Sequence, residues 1–197
     1  MRRRRGVLVG VANLDKERGH DRLYRLYLRA LVGPRGVLML TEVGHGQESV
    51  RLHGGVRHRV SGRRQVELGE VGVHRWAATG RIPVGGDPID AVVFHGLHYG
   101  TLVDRYGRAE ADAIREASFD ALAELVGTFR GEWMVGTDAN MGGTQLARRL
   151  GGVWHGHTIE GLVLSQGLTA KNVRLFDTPL RRGWGDHPVV RARVRRR

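Results

Sequence analysis

Asp186 and His187 stand side by side in WGDHPVV, ahead of a short apolar run and the basic end RARVRRR. An acid beside an imidazole can move a proton, help to hold a cation or simply shape a turn. The heptapeptide alone does not choose among these. The rest of the chain offers similar residues in similar places. Asn13 closes VLVGVAN, Glu42 closes VLMLTE, His98 closes AVVFHGLH, and Asp138 and Asn140 close WMVGTDAN. A carboxylate at the end of a buried strand is costly unless it is paired or binds a metal. Strand ends of one sheet converge on a common rim, so these acids, amides and imidazoles could form one cluster. Hard oxygen ligands such as Glu42 suit Mg²⁺ or Mn²⁺. An imidazole can balance transition-state charge or accept a proton from attacking water, and amides can orient that water. Each element alone is ordinary turn chemistry. Their recurrence at five strand edges points to metal-assisted phosphoryl chemistry.

The elements that must position these residues follow from hydrophobic periodicity. GVLVGVANL (6–14), VLMLTEV (37–43), AVVFHGLHY (91–99) and EWMVGTDAN (132–140) read as buried strands. Alternation between Val50 and Thr79 predicts an antiparallel meander. IEGLVLS (159–165) and KNVRLFD (171–177) read as a hairpin pair, and PVVRARV (188–194) as the last strand. Two amphipathic helices are expected. One spans 20–33 with Leu23, Leu26, Tyr27, Ala30 and Leu31 on one face, the other 111–129 with Ile114, Ala121, Leu122 and Leu125 inward. This order predicts an α+β fold, a four-layer α/β/β/α sandwich of two mainly antiparallel β-sheets with outer helices. Residues 1–197 are expected to form a single domain with short basic tails at 1–5 and 195–197.

Composition narrows the chemistry. The 197 residues are 41% hydrophobic and include no cysteine, which excludes thiolate nucleophiles, disulfides and thiolate zinc sites. The start MRRRRGVLVGVANL has too short an apolar run for a signal peptide, because Asn13, Asp15 and Lys16 interrupt it, and a cytoplasmic protein is expected. No stretch approaches the roughly 18 apolar residues of a membrane span. The net charge is +12, and among 32 basic residues only Lys16 and Lys171 are lysine. Codon bias accounts for the preference for arginine but not for the excess of charge. Such a field attracts polyanions, and guanidinium forks match phosphate oxygens, so nucleic acid is the expected partner.

The motifs resemble, in order, those of the endonuclease/exonuclease/phosphatase superfamily with its deoxyribonuclease-I-like fold. VANLD resembles the first-strand Asn motif, LTEVG the strand ending QEV, VVFHGLHYG the NTHL strand and VGTDANM the GGDFN motif. IEGLVLS resembles IDxILVS, and GDHPVV resembles SDHxPV. The resemblance covers residues 7 to 194. It implies Glu42 as the principal ligand of Mg²⁺ (Mn²⁺ as a substitute), with Asp186 or Asn13 beside it. It also implies that Asp138 and Asn140 position and deprotonate water, while His187 and the middle histidine stabilise developing charge. That histidine is His95 or His98, and His98, nearer the strand exit before Gly100, is the expected one. The family's Asp that orients the last histidine is Glu160 here, and its Ser before the Asp-His pair is Gly185. Only 18 residues separate Asn140 from Ile159, so the chain resembles a minimal member.

The expected function is hydrolysis of nucleic acid, DNA foremost, by a monomeric metal-dependent phosphodiesterase. Two alternatives stay open: a phosphatase or lipid-headgroup phosphodiesterase of the same fold, and a non-catalytic DNA-binding module. Trp184 is the expected stacking platform, and Arg181 and Arg182 beside it are expected phosphate contacts. Trp76, Trp133 and Trp154 read as core or rim. HGH (155–157) has the spacing of a metal pair but reads as a solvent-facing loop. His45, His53, His58 and His74 lie among arginines and read as surface residues or phosphate contacts.

Overall fold

A computed structural model of the chain describes residues 6–14, 22–42, 50–54, 60–70, 74–184 and 186–197. The elements run β1 (Val7–Asn13), α1 (Arg22–Val32), β2 (Val37–Thr41), β3 (Val50–Gly54), β4 (Ser61–Glu70), β5 (His74–Val84) and β6 (Asp87–His95). They continue with α2 (Tyr99–Tyr106), α3 (Arg108–Gly127), β7 (Trp133–Asp138), α4 (Gly143–Arg149), β8 (Val153–Gly156), β9 (Glu160–Leu164), β10 (Leu168–Phe176), α5 (Thr178–Arg182) and β11 (Val189–Arg196).

The strands form a five-stranded sheet, β10-β11-β1-β2-β3, and a six-stranded sheet, β4-β5-β6-β7-β9-β8. Pairing is antiparallel except between β1 and β2 and between β6 and β7. Each parallel pair is joined by a helical crossover, as parallel neighbours require. The central strands read as unbroken apolar runs because both of their faces are covered. In β6, Ala91 and Val93 enter the core between the sheets, whereas Val92 and Phe94 pack outward with Phe119 and Leu122 of α3. In β1 and β2, Val9, Val11, Val37 and Met39 point between the sheets, while Ala12 and Leu38 meet Tyr24, Leu28 and Val32 of α1. The result is the expected four-layer α/β/β/α sandwich.

Several details depart from the periodicity. Helix α1 buries Tyr24, Leu28 and Val32, and leaves Leu23 60% and Leu26 49% exposed. Two apolar stripes compete on this helix. The sheet takes the one whose tyrosine hydroxyl donates to the Asn13 carbonyl oxygen, at 3.1 Å. Helix α3 starts earlier than expected and adds Phe119 and Val126 to its buried face. Segments 159–165 and 171–177 do not form a hairpin: β9 pairs with β7 and β8, and β10 with β11. Between them the chain crosses from one sheet to the other. Ser165 donates its N–H to Trp133 O and its hydroxyl to Glu132, which also accepts from Gly167 N at 3.1 Å. Residues 195–197 are not a free tail, because Arg195 and Arg196 pair with Thr169 and Leu168, and Arg197 N–H donates to Gly167 O. Residues 1–5 lie outside the described part. Among the described residues no helix is long and apolar enough to cross a membrane.

The sheets meet in close contact where Gly136 of β7 faces Met39 of β2. A Cβ at Gly136 would lie 2.2 Å from the Met39 sulfur and 2.8 Å from its Cβ. Gly136→Ala therefore overpacks the core and is expected to cost about 1–3 kcal/mol of stability in urea denaturation. In the double variant with Met39→Ala the loss should be smaller than the sum of the single losses. Additive losses would count against this contact.

Candidate active site

Strand register brings the polar strand ends together. Asn13 ends β1 opposite Thr41 at the end of β2, so Glu42 follows directly at the same edge. In the other sheet His95 ends β6 opposite Asp138 at the end of β7, and Asp138 stands opposite Glu160 at the start of β9. A buried hydrogen bond joins the two groups: Asn13 Nδ2 donates to Asp138 Oδ2 at 3.0 Å across the gap between the sheets. The segment entering β11 adds His187, whose Nδ1 contacts the Glu160 carboxylate at short hydrogen-bond distance and lies 3.7 Å from Asp138 Oδ2. On the other side His95 Nε2 is 3.3 Å from Glu42 Oε1 and 3.8 Å from Asp138 Oδ2. Asn140 closes the group. Its backbone N–H donates to Asp138 Oδ1 at 3.3 Å, and its side-chain amide donates to Gly96 O at 2.9 Å and stands 3.3 Å from His95 Nε2. Asp138, only 1% exposed, is the hub.

The backbone here is strained in a consistent way. Glu42 and Asn140 have φ of 53° and 47°, left-handed conformations that Asn tolerates and Glu ordinarily avoids. Such outliers cost on the order of 1–3 kcal/mol and collect at functional sites. Gly96 is required for a different reason. A Cβ there would come within 2.0 Å of Ala139 O, so only glycine lets the exit of β6 lie against the loop that carries Asn140. Burial pushes the Tyr24 phenol up, which keeps it a donor to the Asn13 backbone.

Electrostatics separate the roles of the buried groups. Burial raises Asp138 to about 6, assisted by the charge of Glu160. The hydrogen bond from Asn13, the charge of His187 and the Asn140 N–H oppose that rise. The hydrogen bond to Glu160 raises His187 to about 9, with help from the charges of Asp138 and Asp186 and against desolvation. At neutral pH the site thus holds an imidazolium beside an ionised Asp138. Arg75 of β5 lies near Glu42. Burial lowers its guanidinium to about 10, an effect the charge of Glu42 opposes. Its Nε is buried without a hydrogen-bond partner among the described residues. In the sequence this arginine is one of many. The signal that singles it out is register: Arg75 stands two residues before Ala77, the partner of Phe94 next to His95.

Of the expected site residues, Asn13, Glu42, Asp138, Asn140, Glu160 and His187 converge. His98 does not. Strand β6 ends at His95, and His98 lies beyond the exit as the exposed N-cap of α2, its Nδ1 accepting from Thr101 N. The middle histidine of the cluster is His95. Asp186 lies on the rim, 71% exposed, with Oδ1 3.4 Å from His187 Nε2. Trp184 is not a free platform: its ring stacks on Tyr24 and tilts against Tyr27, both at 5.8 Å between centroids. Arg181 and Arg182 are exposed on α5, where Arg181 pairs with Asp177 at 2.7 Å. His155 belongs to edge strand β8 rather than a loop, and its Nε2 is buried. His45 and His58 lie outside the described residues.

The cluster can hold a cation. Asp138, Glu160 and His187 each offer a donor atom, and the three lie within 4.8 Å of one another. These three already satisfy one another and Asn13, however, whereas Glu42 presents a half-buried carboxylate on the open side. The donor set is rich in carboxylate oxygen and lacks sulfur, which fits a hard divalent ion.

No family model matches the chain, and no curated protein does. Solved structures do. A 3′ phosphatase, NExo of Neisseria, bound to a product DNA hairpin, has a TM-score of 0.65 at 11% identity, covering 94% of this chain and 98% of its own. Humanized D. rerio TDP2 has a TM-score of 0.66 at 10% identity, covering 95% and 98%. An endonuclease/exonuclease/phosphatase from Bacteroides vulgatus has a TM-score of 0.63 at 12% identity, covering 97% and 99%. At such identities the likeness concerns the fold, and the fold of this chain is that of the endonuclease/exonuclease/phosphatase superfamily.

Proposed function

We propose that the chain is a divalent-metal-dependent phosphodiesterase that hydrolyses nucleic acid, DNA foremost. The observation that carries this reading is the buried Asp138, held by Asn13 from the opposite sheet between the His187–Glu160 pair and the His95–Glu42 pair. Glu42 would hold Mg²⁺ or Mn²⁺, with Asp186 at the rim beside it. The bound ion would polarise the scissile phosphate. Asp138 is ionised above about pH 6 and so accepts the proton of the attacking water, its geometry fixed by Asn13 and Asn140. His187, kept cationic and oriented by Glu160, faces the charge that develops on the phosphoryl oxygens. Arg75 adds a second, partly desolvated cation. The basic surface supplies salt-sensitive affinity for the polymer. NExo, a 3′ phosphatase seen with DNA, supports a nucleic-acid substrate and also raises a monoester reading of the same site. Oligonucleotides with a 3′ phosphate, compared with intact ones, separate the two.

Asp138→Asn should lower cleavage of single-stranded or plasmid DNA by at least about a hundredfold while leaving the fold intact by circular dichroism. Chelation should abolish the activity. Purified protein that cuts neither DNA with Mg²⁺ or Mn²⁺ would sink the proposal, as would an Asp138→Asn protein equal to wild type.

Glu42→Gly relieves the left-handed backbone but removes the carboxylate. The variant should be at least as stable as wild type in thermal denaturation, yet inactive. A large drop in Tm would show that Glu42 is structural.

Folding raises His187 from 6.5 to about 9, so its stabilising contribution is complete below pH 6.5 and fades as pH rises through about 9. Chelator-treated protein should therefore lose stability across that window. Glu160→Gln should flatten the loss, as read from urea midpoints at successive pH values. An unchanged profile in the variant would contradict the assigned pair.

A further inference from the structure

Helix α1 covers the outer face of the five-stranded sheet over β1 and part of β2, and among the described residues no element covers the β3 side. There Val50 and Leu52 of β3 turn inward to the core, which sends Arg51 and His53 outward beside Leu38 and Leu40. Three neighbouring cavities follow this strip, and all have His53 or Arg51 in their walls. The first, about 120 Å³, starts at the catalytic edge with Leu14, which follows Asn13, and runs between Arg25 and Arg51. The second, about 650 Å³, has an apolar floor including Leu38 and is walled by Arg29 and His53. The third, about 380 Å³, turns over the β3 edge to Arg63 and Arg64 of β4. Gln65 Nε2 donates to Val50 O at 3.0 Å and ties the two sheet edges together beneath it. Among the described residues, no acid lines any of the three.

The cleft gathers cations over an apolar floor. Burial and the charges of Arg29, Arg63 and Arg51 lower His53, which makes its ring an uncharged flat surface among guanidinium groups. Charged walls that track a backbone, with apolar or flat surfaces for the bases, are what a single strand of nucleic acid requires.

We propose that this cleft binds the phosphodiester backbone of one nucleic-acid strand extending away from the scissile phosphate, with Arg25, Arg29, Arg51, Arg63 and Arg64 on phosphates and His53 against a base. The proposal rests on the nuclease reading of the catalytic edge. It makes the enzyme one that grips a strand well beyond the bond it cuts.

The test compares wild type with the doubly substituted Arg29→Glu/Arg51→Glu protein, and with Arg29→Gln/Arg51→Gln in case charge reversal perturbs folding. Binding to fluorescent single-stranded oligonucleotides of about four and about twelve nucleotides, spanning the usual range of site sizes, is measured in chelator across a salt series. The Kd for the long oligonucleotide should rise at least about tenfold, and its log–log salt slope should shrink by about 1.4 for two lost phosphate contacts. The short oligonucleotide should bind as before, and hydrolysis of bis(p-nitrophenyl) phosphate with metal should keep its kcat/KM. Unchanged binding of the long oligonucleotide, an equal loss for both lengths, or a loss confined to duplex DNA would each overturn the cleft. Failure of the nuclease reading shows separately, as wild-type protein that binds strands but cleaves none.

Discussion

A buried hydrogen bond, from the Asn13 amide to the Asp138 carboxylate, spans the gap between two sheets whose facing surfaces are largely lined by apolar side chains. Burying a carboxylate at a sheet rim demands compensation, and the compensation arrives from four directions. An amide comes from β1, a backbone N–H from the loop after β7, and an imidazolium from the entrance of β11. The fourth, His95, closes the side toward Glu42. None of these groups is near another in sequence except Asp138 and Asn140. The relative positions of β1, β6, β7 and β11 are therefore written into this one carboxylate, and a slip of register among them would leave it unpaired.

The sandwich meets that demand by placing a parallel strand pair at the heart of each sheet. Both pairs end at the same edge, and both are covered outside by the helices that connect them. Chain ends that would be scattered in a purely antiparallel meander are thereby aligned. Close contact does the fine positioning. Gly136 against Met39 sets the distance between sheets, and Gly96 against Ala139 sets the distance between His95 and Asn140. The strained backbone of Glu42 persists because strand β2 on one side and the cluster on the other over-determine it.

Much of this was legible in the residues. Apolar runs ending in Asn, Glu, Asp-x-Asn and Asp-His announced strands that deliver polar groups to a rim, and the layered α+β sandwich followed from their order. What escaped was whatever depends on where a strand stops. Two histidines three residues apart look equivalent in a string, but β6 ends at the first, and the second is already capping a helix. The buried face of α1 is ambiguous in the sequence because the helix carries two apolar stripes, and the deciding partner, the Asn13 carbonyl, is not local. The supposed hairpin after Ile159 failed for a similar reason: Glu132, far away in sequence, anchors the crossing. Glu160 for Asp proved compatible with the last histidine, because it starts a strand directly opposite Asp138 and its extra methylene still reaches His187.

The pairing of β1 with β11 bears on how the molecule comes into being. Val7 lies opposite Val194, so β1 cannot complete its pairing until the distant β11 has been made. The same late segment carries His187. Contacts so distant along the chain form slowly and late. Until then, Asp138 and Glu160 lack the imidazole of His187 that lies beside both. The cluster around Asp138 is thus complete only once β11 has taken its place beside β1, and folding of the core and assembly of the polar rim are one event.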